Sequence, residues 1–207
     1  MVFLKEQYRQ SFSFLRGPLQ IYLRNTVIAF FVILLIFYGV CLFRPDVLSM
    51  LISYIQSVVE NANISDNAGN YSALRILLNN LRASALSVIY GFIPFLFLPA
   101  LPIGMNAAIL GALGAYYQVS GQSMLLLLAG ILPHGIFEIP ALMIAFASGL
   151  YLCHGMTDMV LGKQEGLNFP ALMLPLVRIF LTIVIPLLIA AAFIEAYITP
   201  VCMSFFM

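Results

Sequence analysis

The sequence predicts an all-α fold, a polytopic transmembrane helical bundle of about five spans whose helices are kinked or broken at prolines. Three observations carry that prediction. Of 207 residues, 63% are hydrophobic and only 8% are charged, where soluble domains carry about 25% charged residues. A charge-free run separates Arg24 from Arg44, and as a helix it has close to membrane-spanning length. Further long apolar stretches follow, with prolines inside them. A chain this apolar exposes more surface than one soluble core of its length hides, so the bilayer is its solvent. With a net charge of +1 and no basic patch interleaved with aromatics, nucleic-acid binding has no electrostatic basis. Cys41, Cys153 and Cys202 lie within or beside apolar segments without CxxC spacing and read as small apolar residues.

Residues 1–24 hold Lys5, Arg9, Arg16 and Arg24 against Glu6. They are expected to form a cytoplasmic amino-terminal segment, because basic residues near the membrane favour the cytoplasm. The segment is too long and too rich in Phe, Tyr and Gln for a signal-peptide n-region, so the first apolar segment is expected to stay in the mature protein. Residues 25–207 then make a single transmembrane domain, and NTVIAFFVILLIFYGVCLF is its first span. Over residues 44–82 an outer interfacial helix and a loop are expected. Val47, Leu48, Leu51, Ile52, Ile55, Val58 and Val59 recur there at helical spacing, and residues 61–71 are polar. The Asn63-Ile64-Ser65 triplet matches a glycosylation sequon, a pattern short enough to arise by chance.

Residues 83–117 are too long for one span and carry Pro94, Pro99 and Pro102. Proline removes a backbone donor, so two helices are expected, broken near residues 99–102, the first of them short. In the second, Ala107, Gly111 and Ala115 form a small-xxx-small stripe that suits close approach of another backbone. Residues 124–152 form a longer apolar stretch, with a break or kink expected at Pro133 and Pro140, and residues 153–169 read as a polar loop with Asp158, Lys163 and Glu165. The last span covers residues 170–198, apolar apart from Arg178 and Glu195, with Pro175 and Pro186 inside. Five spans with the amino end inside put residues 44–82 and the carboxyl end outside. Arg44, Arg75 and Arg82 on that outer side run against the charge rule.

The residues that lipid should exclude carry the functional signal: His134, Glu138, Arg178 and Glu195, with Asn79, Asn80 and Arg82 at a span's edge. A charge at mid-membrane costs about 2.5–3.5 kcal/mol on insertion scales, so such groups face the bundle interior and pair or take up protons. His134 and Glu138 stand four apart, on one face of a helix. A divalent metal, zinc or iron, suits imidazole and carboxylate, and Glu195 is the candidate third ligand. Pro140 also leaves the Ile136 carbonyl without its helical donor. Three readings stay open: a neutral hydrogen-bonded cluster that holds helices in register, a bound metal, and a proton or substrate path. His154 lies about 30 Å along the helix from His134 and is expected at the membrane surface. Arg178 and Glu195 are about 25 Å apart on one helix and cannot neutralise each other, so Arg178 reads as a snorkelling anchor towards the cytoplasmic headgroups. No HExxH, GxSxG or phosphate-binding glycine loop is readable.

At these residues the chain resembles the stage II sporulation protein M family of bacterial integral membrane proteins. The resemblance rests on LLNNLRASAL around Asn79 to Arg82, on ILPHGIFEIPALMIAFASGLYL over residues 131–152, and on IAAAFIEAYITP over residues 189–200. It covers roughly residues 74–200, and the family's usual five spans match the count above. An Asn106-Ala107 pair stands where the family is expected to show Asn-Gly. The resemblance implies Asn80, Arg82, Asn106, His134, Glu138 and Glu195 as a shared polar set. It also implies a role in engulfment during endospore formation, as a scaffold without catalysis of its own. That scaffold would place the peptidoglycan-degrading stage II sporulation proteins D and P at the septum of a bacterial cell membrane. Relatives also occur where no spores are made, which keeps a metal-binding enzyme or transporter as the alternative. A homodimer is expected because short, kinked spans leave polar surface to cover.

Overall fold

Apolar segments in lipid leave the backbone no hydrogen-bond partner but itself, and the computed structural model is helical accordingly. It describes residues 2–62, 72–163 and 168–206, and no strand occurs among them. In order the helices are α1 (Val2–Arg16), α2 (Gln20–Phe43), α3 (Pro45–Ala62), α4 (Ala73–Tyr90), α5 (Ala100–Val119), α6 (Met124–Val160), α7 (Phe169–Ile179), a π-helical turn (Phe180–Val184), α8 (Ile185–Tyr197) and α9 (Thr199–Ser204). Four helical stretches are long and apolar enough to cross a membrane: Gln20–Phe43, Ala100–Val119, Met124–Val160 and Phe169–Tyr197. The all-α membrane bundle is thus observed, with four candidate spans among the described residues where about five were expected, and with the more polar α4 packed on α6 and α8.

α2 and α5 run in the same direction. Phe30 shares a core cluster with Ile103 and Ala107, and further along the Tyr38 hydroxyl donates to Gln118 Oε1. The small-residue stripe makes this approach close: a Cβ on Gly111 would meet the Leu34 carbonyl oxygen at 2.5 Å, and Ala107 and Ala115 are fully buried. The outward side of α2 presents Ile28, Phe31, Val32, Leu35 and Ile36, the lipid-facing side of a span. α6 runs the opposite way, since Phe14 and Tyr22 set their ring edges on Tyr151 near its far end. α4 also runs back towards that end, with Ile76 against Ala192 and Ala196 of α8 and Gly91 against the Gly149 carbonyl of α6.

The structure departs from the sequence reading at several places. α6 runs unbroken through Pro133 and Pro140 and continues to Val160. Packed neighbours and local adjustment satisfy the carbonyls that proline frees in a membrane helix. Residues 153–160 are therefore helix rather than loop, and His154 Nε2 lies 3.4 Å from Asp158 Oδ2 one turn on. The break expected near residues 99–102 falls earlier, at residues 91–99 with Pro94 and Pro99 in it, and Pro102 lies in the first turn of α5, where a missing N–H costs no intrahelical bond. Phe95 and Phe97 take positive φ there, 68° and 46°, a conformation that costs non-glycine residues energy and persists only when the surroundings enforce it. α6 supplies that enforcement, because Phe95 N donates to Thr157 Oγ1 at 3.0 Å and Cys153 Sγ to the Ile93 carbonyl at 3.3 Å. The short span expected to start at residue 83 belongs to α4, which starts at Ala73 with Ser72 Oγ accepting from Arg75 N. In the last stretch, the π-helical turn precedes Pro186, whose missing N–H a π-bulge accommodates. Thr182 in that turn bonds Ser11 of α1 at 2.8 Å.

Residues 61–62 continue α3, while residues 63–71, including the Asn63-Ile64-Ser65 triplet, lie outside the described residues. α3 does not project freely. Leu48, with Val47, Leu51, Ile52 and Ile55, packs on Cys41 of α2 and on Ala112 and Ala115 of α5, leaving Asp46, Ser49, Ser53, Gln56 and Ser57 exposed. The turn from α2 to α3 carries a bidentate pair, Arg44 Nε to Asp46 Oδ1 at 3.0 Å and Nη2 to Oδ2 at 2.8 Å. Those bonds hold the Asp46 carboxyl below its ordinary range. A depressed carboxyl contributes above the ordinary carboxylate range, and the contribution is lost as pH falls through the lowered value. Arg44→Ala is expected to raise the Asp46 titration midpoint towards the ordinary range, as read by carboxyl NMR in detergent. An unmoved midpoint would exclude the pair.

Candidate metal centre

Four-residue spacing on α6 puts His134 and Glu138 one turn apart on the same face, with His134 Nε2 4.0 Å from Glu138 Oε2. α8 brings Glu195 to them, and one donor atom from each of the three side chains falls within 4.8 Å of the others. Close packing beside the group is allowed by Gly130, one turn before His134, where an added Cβ would lie 3.4 Å from Met203 Sδ of α9. All three side chains are only partly accessible.

Two more elements orient the group. Thr199 Oγ1 of α9 sits 3.2 Å from His134 Nδ1, which leaves Nε2 turned to Glu138. Such an outer hydrogen bond fixes a ring's tautomer and raises its basicity as a ligand. Asn80 of α4 is buried and lies against the Glu138 carboxylate. Across from α6, Asn106 of α5 donates through Nδ2 to the Pro102 carbonyl at 2.8 Å. It lines, with His134 and Glu138, a cavity of about 130 Å³ whose apolar walls include Phe30, Leu142 and Met143.

Arg82 stands apart from the group. It lies two residues past Asn80, about 200° around the helix, and is exposed, as is Asn79. Arg178 is also elsewhere, with Nε donating to Gln7 Oε1 of α1 at 2.9 Å. His154 is exposed, edge-on to Tyr22. Thr199 escapes a search for ionisable groups. Its available signal is position, four residues after Glu195, the same interval that joins His134 to Glu138.

The donor set fits a borderline cation. Imidazole and carboxylate oxygen both suit zinc and ferrous iron, and two carboxylates with a neutral imidazole sum to a charge that one divalent ion cancels. Zinc bonds of about 2.0–2.2 Å at tetrahedral angles separate donors by roughly 3.4 Å. The 4.0 Å between His134 and Glu138 closes to that with a small side-chain adjustment.

Fold and site together define a multi-pass α-helical membrane protein with a histidine–carboxylate cluster enclosed by its helices. The chain belongs to the stage II sporulation protein M family, whose model matches residues 27–200, and by family it is a sporulation-type membrane protein. A protein of Methanocaldococcus jannaschii described as uncharacterized is 34% identical over 125 residues, covering 60% of this chain and 69% of that relative. No solved structure matches.

Proposed function

We propose that this chain is a divalent-metal-binding membrane protein, holding zinc or iron at His134, Glu138 and Glu195. The observation that carries the reading is the convergence of three donors from α6 and α8 within 4.8 Å. Membrane energetics favour it further. Two carboxylates inside an apolar bundle each cost about 2.5–3.5 kcal/mol as bare charges, and a divalent cation removes both costs at once. The test is elemental analysis of detergent-purified protein prepared without chelators. About one zinc or iron per chain is expected, and no transition metal in protein so prepared would sink the proposal.

The scaffold role for stage II sporulation proteins D and P is a second reading, compatible with the first. Family membership favours it, and so does the exposed polar side of α3, whose apolar side is fastened to α2 and α5. We assign α1 to the cytoplasmic face because Lys5, Arg9, Arg16 and Arg24 gather at or beside it, which turns the far end of α2 and the start of α3 outwards. Bulky replacement of Ser53 and Gln56 together is then expected to abolish septal recruitment of the partners. Normal partner localisation in that variant would exclude α3 as the docking surface.

A further inference from the structure

The cavity beside His134 and Glu138 bears on what kind of centre this is. Structural zinc sites are closed by four protein ligands, whereas sites that bind exchangeable ligands keep three and leave a position to water. Among the described residues, three side chains supply donors, and the space next to two of them is a cavity of about 130 Å³, room for several waters. Its walls are of two kinds. His134, Glu138 and Asn106 give one polar side, and Phe30, Leu142 and Met143 close the other. Dry cavities are apolar throughout, and a buried water needs two to four polar partners. Here Asn106 is available for that duty. Its bond to the Pro102 carbonyl uses one of two amide N–H groups, which leaves the other N–H and the amide oxygen for a ligand in the cavity.

We infer that the centre keeps one coordination position open to this cavity, filled by water and exchangeable for a small anion, with Asn106 positioning that ligand. The inference rests on the metal reading above and goes beyond it by naming the ligand class. The ligand is a molecule of a few heavy atoms that both coordinates a metal and hydrogen-bonds an amide. A cavity of about 130 Å³ gives room for such a ligand. Asn106 acts through the bound ligand and is a positioning residue.

The experiment uses the full chain in detergent, loaded with Co²⁺ and titrated with azide while the visible absorption of the metal is followed. A saturable spectral change is expected in the wild type. Asn106→Leu is expected to bind Co²⁺ normally and azide about tenfold more weakly, the loss of one hydrogen bond to the ligand. Bound Co²⁺ whose spectrum ignores azide would overturn the open position and leave the metal reading standing. Absence of Co²⁺ binding would remove both together. Unchanged azide affinity in Asn106→Leu would overturn the positioning role. If that variant does not fold, Asn106→Ser replaces it, and the wild-type titration decides the open position by itself.

Discussion

His134→Ala should lower metal affinity by more than about 100-fold, leaving purified protein with almost no zinc or iron. The magnitude follows from ligand count. Removing an outer partner of a ligating histidine costs about 10–100-fold in affinity, and removing the ligand itself costs more. Thr199→Val supplies the lower step of the same ladder, because Thr199 Oγ1 bonds His134 Nδ1 without touching the metal position, and a fall of about 10–100-fold is expected. Glu138→Gln separates a metal centre from polar glue between helices. Glutamine keeps the shape and can hydrogen-bond its neighbours, so a register-holding cluster would barely notice the change. A metal centre would lose an anionic donor and leave the cation's charge uncompensated. The readouts are metal content by elemental analysis and the rise in unfolding temperature on adding Zn²⁺. A ligand at 100 times its dissociation constant stabilises by about 2.7 kcal/mol, and that increment should vanish in His134→Ala and shrink in Glu138→Gln. Equal metal content in wild type, His134→Ala and Glu138→Gln would exclude His134 and Glu138 as ligands.

Much of this arrangement is legible from the chain because hydrocarbon punishes exceptions. A histidine and two glutamates inside apolar runs stand out by type alone, and the interval between His134 and Glu138 fixes their common face on a helix. What the sequence withholds is which helices cross at which level. Glu195 lies 57 positions beyond Glu138, and only the crossing of α8 over α6 brings their oxygens together. Arg82 shows the converse. It sits two positions from Asn80 and has the same rarity in an apolar setting, yet the helical turn carries it to the outside of α4. On α6, where Pro133 and Pro140 predict a break or kink, the helix continues through both without a break. A membrane helix keeps its course there because no water competes for the freed carbonyls. Prolines instead mark a true interruption at residues 91–99, where Pro94 and Pro99 coincide with bonds from Thr157 and Cys153 that hold a non-helical path.

Gly149→Ala should destabilise the bundle by about 3 kcal/mol or more, the upper end of what overpacking costs, although it adds a single methyl group. The new Cβ would lie 2.3 Å from the Ser87 carbonyl oxygen of α4 and 2.9 Å from Pro99 Cβ. Neither neighbour is the tip of a flexible side chain, so the helices themselves must part. Gly39→Ala on α2 is the matched control, since nothing lies within 4 Å of its added Cβ. Alanine there should be neutral or stabilising by about 0.5–1 kcal/mol, because it restricts the unfolded chain and favours the helix. Denaturant titration in mixed micelles reads both values, and a Gly149→Ala protein as stable as Gly39→Ala would show that α4 and α6 do not pack so closely. The same substitution reaches the centre by displacement. α4 carries Asn80, which lies against Glu138, and Gly149 lies eleven positions along α6 from that glutamate, about 16 Å at helical rise. Parting the helices at Gly149 draws Asn80 off the carboxylate. Metal affinity in Gly149→Ala should therefore fall with stability, while Gly39→Ala keeps both.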